Sequence, residues 1–134
     1  MEGAFTENIM DVLYVDDHDL YRYAMAHDLK LKMHYSMVTP AQTREILSRL
    51  ASYGKYSLVI INAHTAGILK AWACIEAIRT HERFRELPIL FISDHNVETD
   101  YPVLFDRKTF WFPNTGTSNG LCTMLANEIE PLVR

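Results

Sequence analysis

Several features are scarce or missing in this sequence, and each absence narrows the reading. There are two cysteines, Cys74 and Cys122, far apart and each in a segment with helical spacing. Nothing demands a disulfide between them, and a reducing, cytoplasmic setting fits better. The first residues, Met-Glu-Gly-Ala-Phe-Thr-Glu-Asn, hold acidic side chains and no long apolar run, so neither a secretory leader nor a membrane span is expected. Residues 1–8 read as a tail and 9–134 as one domain. Excess positive charge is absent: the formal net charge is −4, which removes any global electrostatic argument for nucleic acid or anionic membrane. No Gly-rich turn follows the first apolar run, as a nucleotide-binding fold would require. No internal repeat or linker divides the chain, and no Ser-His-Asp or Cys-His set declares an enzyme.

What remains is an ordinary globular composition, 49% hydrophobic and 22% charged over 134 residues, enough for one core. Short apolar runs alternate with helix-period segments: Val12–Val15, Tyr35–Val38, Leu58–Ile61, Ile89–Ile92 and Phe110–Phe112. Continuous rather than alternating apolar runs belong to parallel strands covered on both faces. Leu20, Ala24 and Leu31 mark a first helix. Thr39-Pro40-Ala41-Gln42 reads as a helix start, with Thr39 as cap, Pro40 at the first position and Gln42 closing a capping box. Thr43, Ile46, Leu47 and Leu50 then form one stripe, Ala71, Trp72, Ile75 and Ile78 a second, and Leu121, Met124, Leu125, Ile129 and Leu132 a third. Between Asn96 and Lys108 apolar residues are sparse and Pro102 intervenes, so a helix there is short or irregular. Five βα units predict a doubly wound α/β three-layer sandwich. Its functional crevice lies beyond the carboxyl ends of the strands.

The residues at those ends are Asp16-Asp17-His18, Asn62-Ala63-His64, Ser93-Asp94-His95 and Phe112-Pro113. Together with Gly67 and the Leu87-Pro88 that precedes the fourth run, they resemble the landmarks of the CheY-like response-regulator receiver domain, from about residue 9 onward. The resemblance implies a flavodoxin-like parallel sheet of order 2-1-3-4-5 and a role in two-component, phosphorelay signalling. In that family an aspartate ending strand three accepts a phosphoryl group, an acidic pair holds Mg²⁺, and a hydroxyl and a lysine bind the phosphoryl oxygens.

Here Asp16 and Asp17 match the acidic pair and Ser93 the hydroxyl, but Asn62 stands at the acceptor position and Phe112 at the lysine. A carboxamide is no nucleophile toward phosphorus at neutral pH. Lys108 lies four residues upstream of Phe112, roughly 13 Å along a strand and toward the wrong end of the sheet. The family's switch aromatic aligns with Thr109. The implied protein is therefore a degenerate receiver, a pseudo-receiver without catalytic residues. It would work by binding a protein partner: an effector domain, a histidine kinase or a second copy of itself.

No cofactor is expected. Mg²⁺ held by Asp16, Asp17, the Asn62 oxygen and the His64 carbonyl would bind weakly or not at all, because a neutral amide replaces a charged oxygen. Alternatively, the acidic pair is merely solvated, or Asp17 caps the first helix. Other readings remain open: an active receiver using Ser93 or Asp94, a flavodoxin-like ligand-binding domain, or a transition-metal site built from His18, His64 and His95 beside Asp16, Asp17 and Asp94. The run Phe110-Trp111-Phe112 reads as core packing plus one edge contact, with Phe112 filling the phosphate space. Tyr21, Tyr23, Met25 and Tyr35 read as partly buried, and Trp72 as core.

Overall fold

The computed structural model describes residues 8–63, 68–94, 108–114 and 117–133. Five strands, β1 (Asn8–Val15), β2 (Tyr35–Ala41), β3 (Leu58–Asn62), β4 (Ile89–Ser93) and β5 (Thr109–Pro113), form one parallel sheet of order β2-β1-β3-β4-β5. Helix α1 (Asp19–Met33) joins β1 to β2. A 3-10 turn (Thr43–Glu45) and α2 (Ile46–Ser52) lead to β3, and α3 (Ile68–Thr80) leads to β4. The chain closes with α4 (Ser118–Met124), a π-helical turn (Leu125–Ile129) and α5 (Glu130–Val133). Pro131 has no N–H for the Asn127 carbonyl and its ring crowds that turn, which accounts for the wider winding just before it. The segment expected to hold the irregular helix between β4 and β5 lies outside the described residues. No described helix is long and apolar enough to cross a membrane.

The continuous apolar strands divide by alternation into two cores. Val12, Tyr14, Leu58, Ile60, Leu90 and Ile92 face α1 and the last helix, meeting Ala26, Leu29, Leu121, Leu125 and Ile129. Leu13, Val15, Val59, Ile61, Ile89 and Phe91 face α2 and α3, meeting Ile46, Leu50, Ala71, Ile75 and Ile78. Burying each such aliphatic side chain contributes about 1.5–3 kcal/mol. Cys122 lies in the first layer and Cys74 borders the second, so the sheet separates them and both are free thiols.

Several local expectations are corrected. Residues Thr39–Ala41 continue β2, and the helical turn starts later, where Gln42 and Glu45 form the capping box. The Asp16 N–H donates to the Ala41 carbonyl at 3.0 Å, so Ala41 faces β1 and Pro40 faces outward from this edge strand, where a missing N–H costs no ladder bond. In α1 the buried residues are Arg22, Ala26 and Leu29, whereas Leu20, Ala24 and Leu31 face solvent. Tyr21 and Tyr23 are exposed too, while Tyr35 is buried. The stripes of α2, α3 and the last helix hold except at Leu47 and Leu132, which are exposed, and Trp72, which is half-buried. Helix α1 ends at His34, which takes a left-handed φ of 58° without being glycine.

Candidate functional site

The sheet register assembles the site. Tyr14 pairs with Ile60 and Val15 with Ile61, so the corner after β1 stands level with the end of β3. Asn62 then pairs with Ile92, and Ile92 with Phe112, which places these three side by side across the sheet.

Asp16 and Asn62 do meet, through Tyr14, which sits inside an apolar strand run. Asn62 Nδ2 donates to the Tyr14 hydroxyl at 3.1 Å, and that hydroxyl donates to Asp16 Oδ2 at 3.0 Å. Asp16 Oδ1 accepts the His18 N–H at 2.9 Å, and Asp16 is wholly buried. Burial, reinforced by the Asp16 charge, pushes the Tyr14 hydroxyl far above its ordinary pKa and keeps it a proton donor. A positional signal for this did exist: Asp16 directly follows β1 and its N–H continues the ladder to Ala41, so Tyr14, two residues earlier, shares its side.

Arg22, nearly buried in α1, donates from Nη1 to the Asp16 carbonyl at 3.0 Å and from Nη2 to Asp19 at 2.7 Å. A buried guanidinium thus anchors the corner, although nothing in its helical spacing announced it.

Asp17 turns elsewhere. It does not cap α1; that role falls to His18, whose imidazole accepts the Tyr21 N–H and stacks on the Tyr21 ring. The Asp17 carboxylate accepts the Thr43 N–H at 2.8 Å and the Thr43 hydroxyl at 2.9 Å, tying the β1 corner to the turn after β2. Burial alone would push its pKa up, but the Thr43 bonds and Lys70 at 3.5 Å outweigh that and hold it below the usual carboxylate range.

These positions bear on whether a divalent ion fits. A hard cation needs several oxygens converging on one point. Both Asp16 oxygens already take protein hydrogens, a hydroxyl lies between Asp16 and Asn62, and Asp17 is bound to Thr43. As arranged, the donors do not fit the ion. His64, the expected carbonyl ligand, and His95 lie outside the described residues, and among those described no three ligating side chains cluster.

The remaining positions are also engaged. The Ser93 hydroxyl accepts the Trp111 indole N–H at 2.8 Å and is almost fully buried. Phe110 and Phe112 pack on the first core and Trp111 on the second, so the aromatic run serves both layers. Lys108 sits at the far end of β5, where its carbonyl accepts the Ile89 N–H at 2.8 Å. Thr109 is buried against Arg79, whose Nη2 reaches its hydroxyl at 2.6 Å while other guanidinium N–H groups reach the Leu87 and Lys108 carbonyls. The void beside Asn62 that the described residues enclose, between Met25, Ile92 and Leu121, is about 10 Å³. That is room for about one water. A larger cleft of about 580 Å³ opens beside the strand-end cluster, between α2 and α3, with Asp17, Thr43 and Cys74 in its wall. Burial there, with the Asp17 charge nearby, pushes the Cys74 thiol up to about 11.

The fold is shared with receiver domains of known structure. The chemotaxis protein CheY4 of Vibrio cholerae superposes with a TM-score of 0.70 at 20% identity, covering 88% of this chain and 97% of that one. The N-terminal domain of a response regulator receiver protein from Methanoculleus marisnigri gives 0.62 at 18%, covering 90% and 96%. A response regulator receiver modulated diguanylate cyclase from Pelobacter carbinolicus gives 0.66 at 12%, covering 92% and 95%. No protein-family model and no curated protein matches the chain. The CheY-like architecture and strand order expected from the sequence are therefore present.

Proposed function

We propose that this chain is a pseudo-receiver of two-component signalling, a module that binds a protein partner without accepting a phosphoryl group and without catalytic turnover of its own. One observation carries the reading: at the acceptor position, the Asn62 amide is the first donor in a hydrogen-bond chain that runs through Tyr14 to the buried Asp16. A receiver needs a carboxylate oxygen there, open to phosphorus and backed by a cation. Phe112, in the same row of the sheet, supplies a benzyl group where the ammonium would stand. Transfer to Ser93 is disfavoured because its oxygen accepts the Trp111 indole N–H.

Under this reading Mg²⁺ binds weakly if at all, and the protein works in the cytoplasm beside an effector domain, a kinase or another copy of itself. That one structural neighbour is described as a receiver modulated diguanylate cyclase supports a protein partner. The test is incubation with acetyl phosphate and Mg²⁺ followed by intact mass. An unchanged mass is expected, and a stoichiometric phosphoryl adduct would overturn the proposal.

A further inference from the structure

Helix α1 carries two apolar faces, and the fold uses only one. Ala26 and Leu29 pack inward, while Leu20 and Leu31 remain 70% and 58% exposed, with Ala24, His27 and Tyr23 exposed between them. Leu20, Ala24, His27 and Leu31 are spaced i, i+4, i+7 and i+11, which confines them to about 60° of the helix circumference. The stripe, from Leu20 to Leu31, runs about 16 Å along the helix. Large apolar residues aligned this way on a free helix face mark a contact surface, unlike scattered single ones.

The charges beside the stripe select its occupant. Asp19, Tyr23 and Lys30 all fall on the same flank of the stripe, with Asp19 at the amino end and Lys30 at the carboxyl end. When two such helices pack antiparallel about a two-fold axis, equivalent flanks meet, so Asp19 of each copy lies across from Lys30 of the other. Leu20 then meets Leu31, and the smaller Ala24 meets His27 near the axis. The helix dipoles also oppose favourably. A parallel pairing would instead align the two dipoles unfavourably. The surface is thus self-complementary, as a closed two-fold contact requires.

We propose that two copies of this chain associate through antiparallel contact of their α1 helices. The contact is independent of the strand-end site. A single helix face is smaller than a standard interface, so the dimer is weak, with a dissociation constant on the order of 100 µM.

Sedimentation equilibrium of the full chain from about 10 µM to about 1 mM tests it. The weight-average mass should climb from that of one 15.5 kDa chain toward twice that value. Leu20→Glu and Leu31→Glu, both at exposed positions, should each weaken association at least ~10-fold with unchanged melting temperature. Lys30→Glu, at an exposed position that leaves the Arg22–Asp19 pair intact, should weaken it severalfold, and Lys30→Arg should leave it unchanged. Any of three results overturns the inference: a wild type that stays monomeric throughout, including one whose stripe binds only a different protein; association that survives both leucine changes; or association indifferent to Lys30→Glu.

Discussion

Replacing Tyr14 with phenylalanine isolates the hydrogen-bond chain, because it removes one oxygen and leaves the ring in the core. Tyr14 is completely buried, and its hydroxyl makes one bond to a carboxylate and one from an amide. A bond to a charged group contributes about 1.5–3 kcal/mol and a neutral one about 1 kcal/mol. Asp16 keeps the His18 N–H, so part of its demand is still met. The net expected loss is about 2–3 kcal/mol, a fall of roughly 8–10 °C in a domain of this size. Urea unfolding followed by circular dichroism should show a lower midpoint with an unchanged slope. Tyr35→Phe serves as comparison: its hydroxyl meets Glu130 at 2.9 Å in a half-buried setting and should cost no more than about 1 kcal/mol. If Tyr14→Phe lies within about 0.5 kcal/mol of wild type, the chain from Asn62 to Asp16 is not an organising element of the site and the reasoning fails.

Other substitutions probe separate links. Thr43→Val removes the hydroxyl that holds Asp17, at a cost of about 1 kcal/mol at pH 7. Because the folded pKa of Asp17 is depressed, its stabilisation is full above the unfolded value near 3.9 and vanishes as pH falls through the folded one. The gap between Thr43→Val and wild type should therefore narrow in acid melts; a gap independent of pH would contradict this. Arg79→Met removes donors to the Leu87 and Lys108 carbonyls and to Thr109, and should cost about 2–4 kcal/mol in urea titrations, while a loss below about 0.5 kcal/mol would show these bonds to be idle. His34→Gly should raise stability by about 0.5–1 kcal/mol in the same assay, since glycine occupies the left-handed position freely. Destabilisation there would mean that the His34 side chain contributes something beyond the turn.

The strands were legible because parallel strands covered on both faces need unbroken apolar runs, and Leu58–Ile61 or Ile89–Ile92 can be little else at that length. Helix starts were less so. Thr39 to Gln42 and Gln42 to Glu45 offer similar local capping patterns, and the pairing of the edge strand with β1 decides between them. In α1, periodicity selected the stripe of Leu20, Ala24 and Leu31, but the fold buries the face whose polar member, Arg22, reaches the Asp16 carbonyl. Spacing alone cannot rank two apolar faces of one helix. The missing acceptor and lysine were readable as Asn62 and Phe112. What occupies the site instead was not: Tyr14 hides inside an apolar run, and the Trp111 bond to Ser93 joins residues 18 apart in sequence.

Nuclear magnetic resonance with beryllofluoride and Mg²⁺ tests the loss of acceptor chemistry most directly, because this tetrahedral phosphoryl analogue must bond a carboxylate oxygen at the acceptor position. Wild type should show no new slow-exchange resonances around Asn62, whereas Asn62→Asp combined with Phe112→Lys should acquire them. Saturable slow-exchange shifts at Asn62, Ser93 and Asp16 in the unmodified protein would contradict the proposal at its centre.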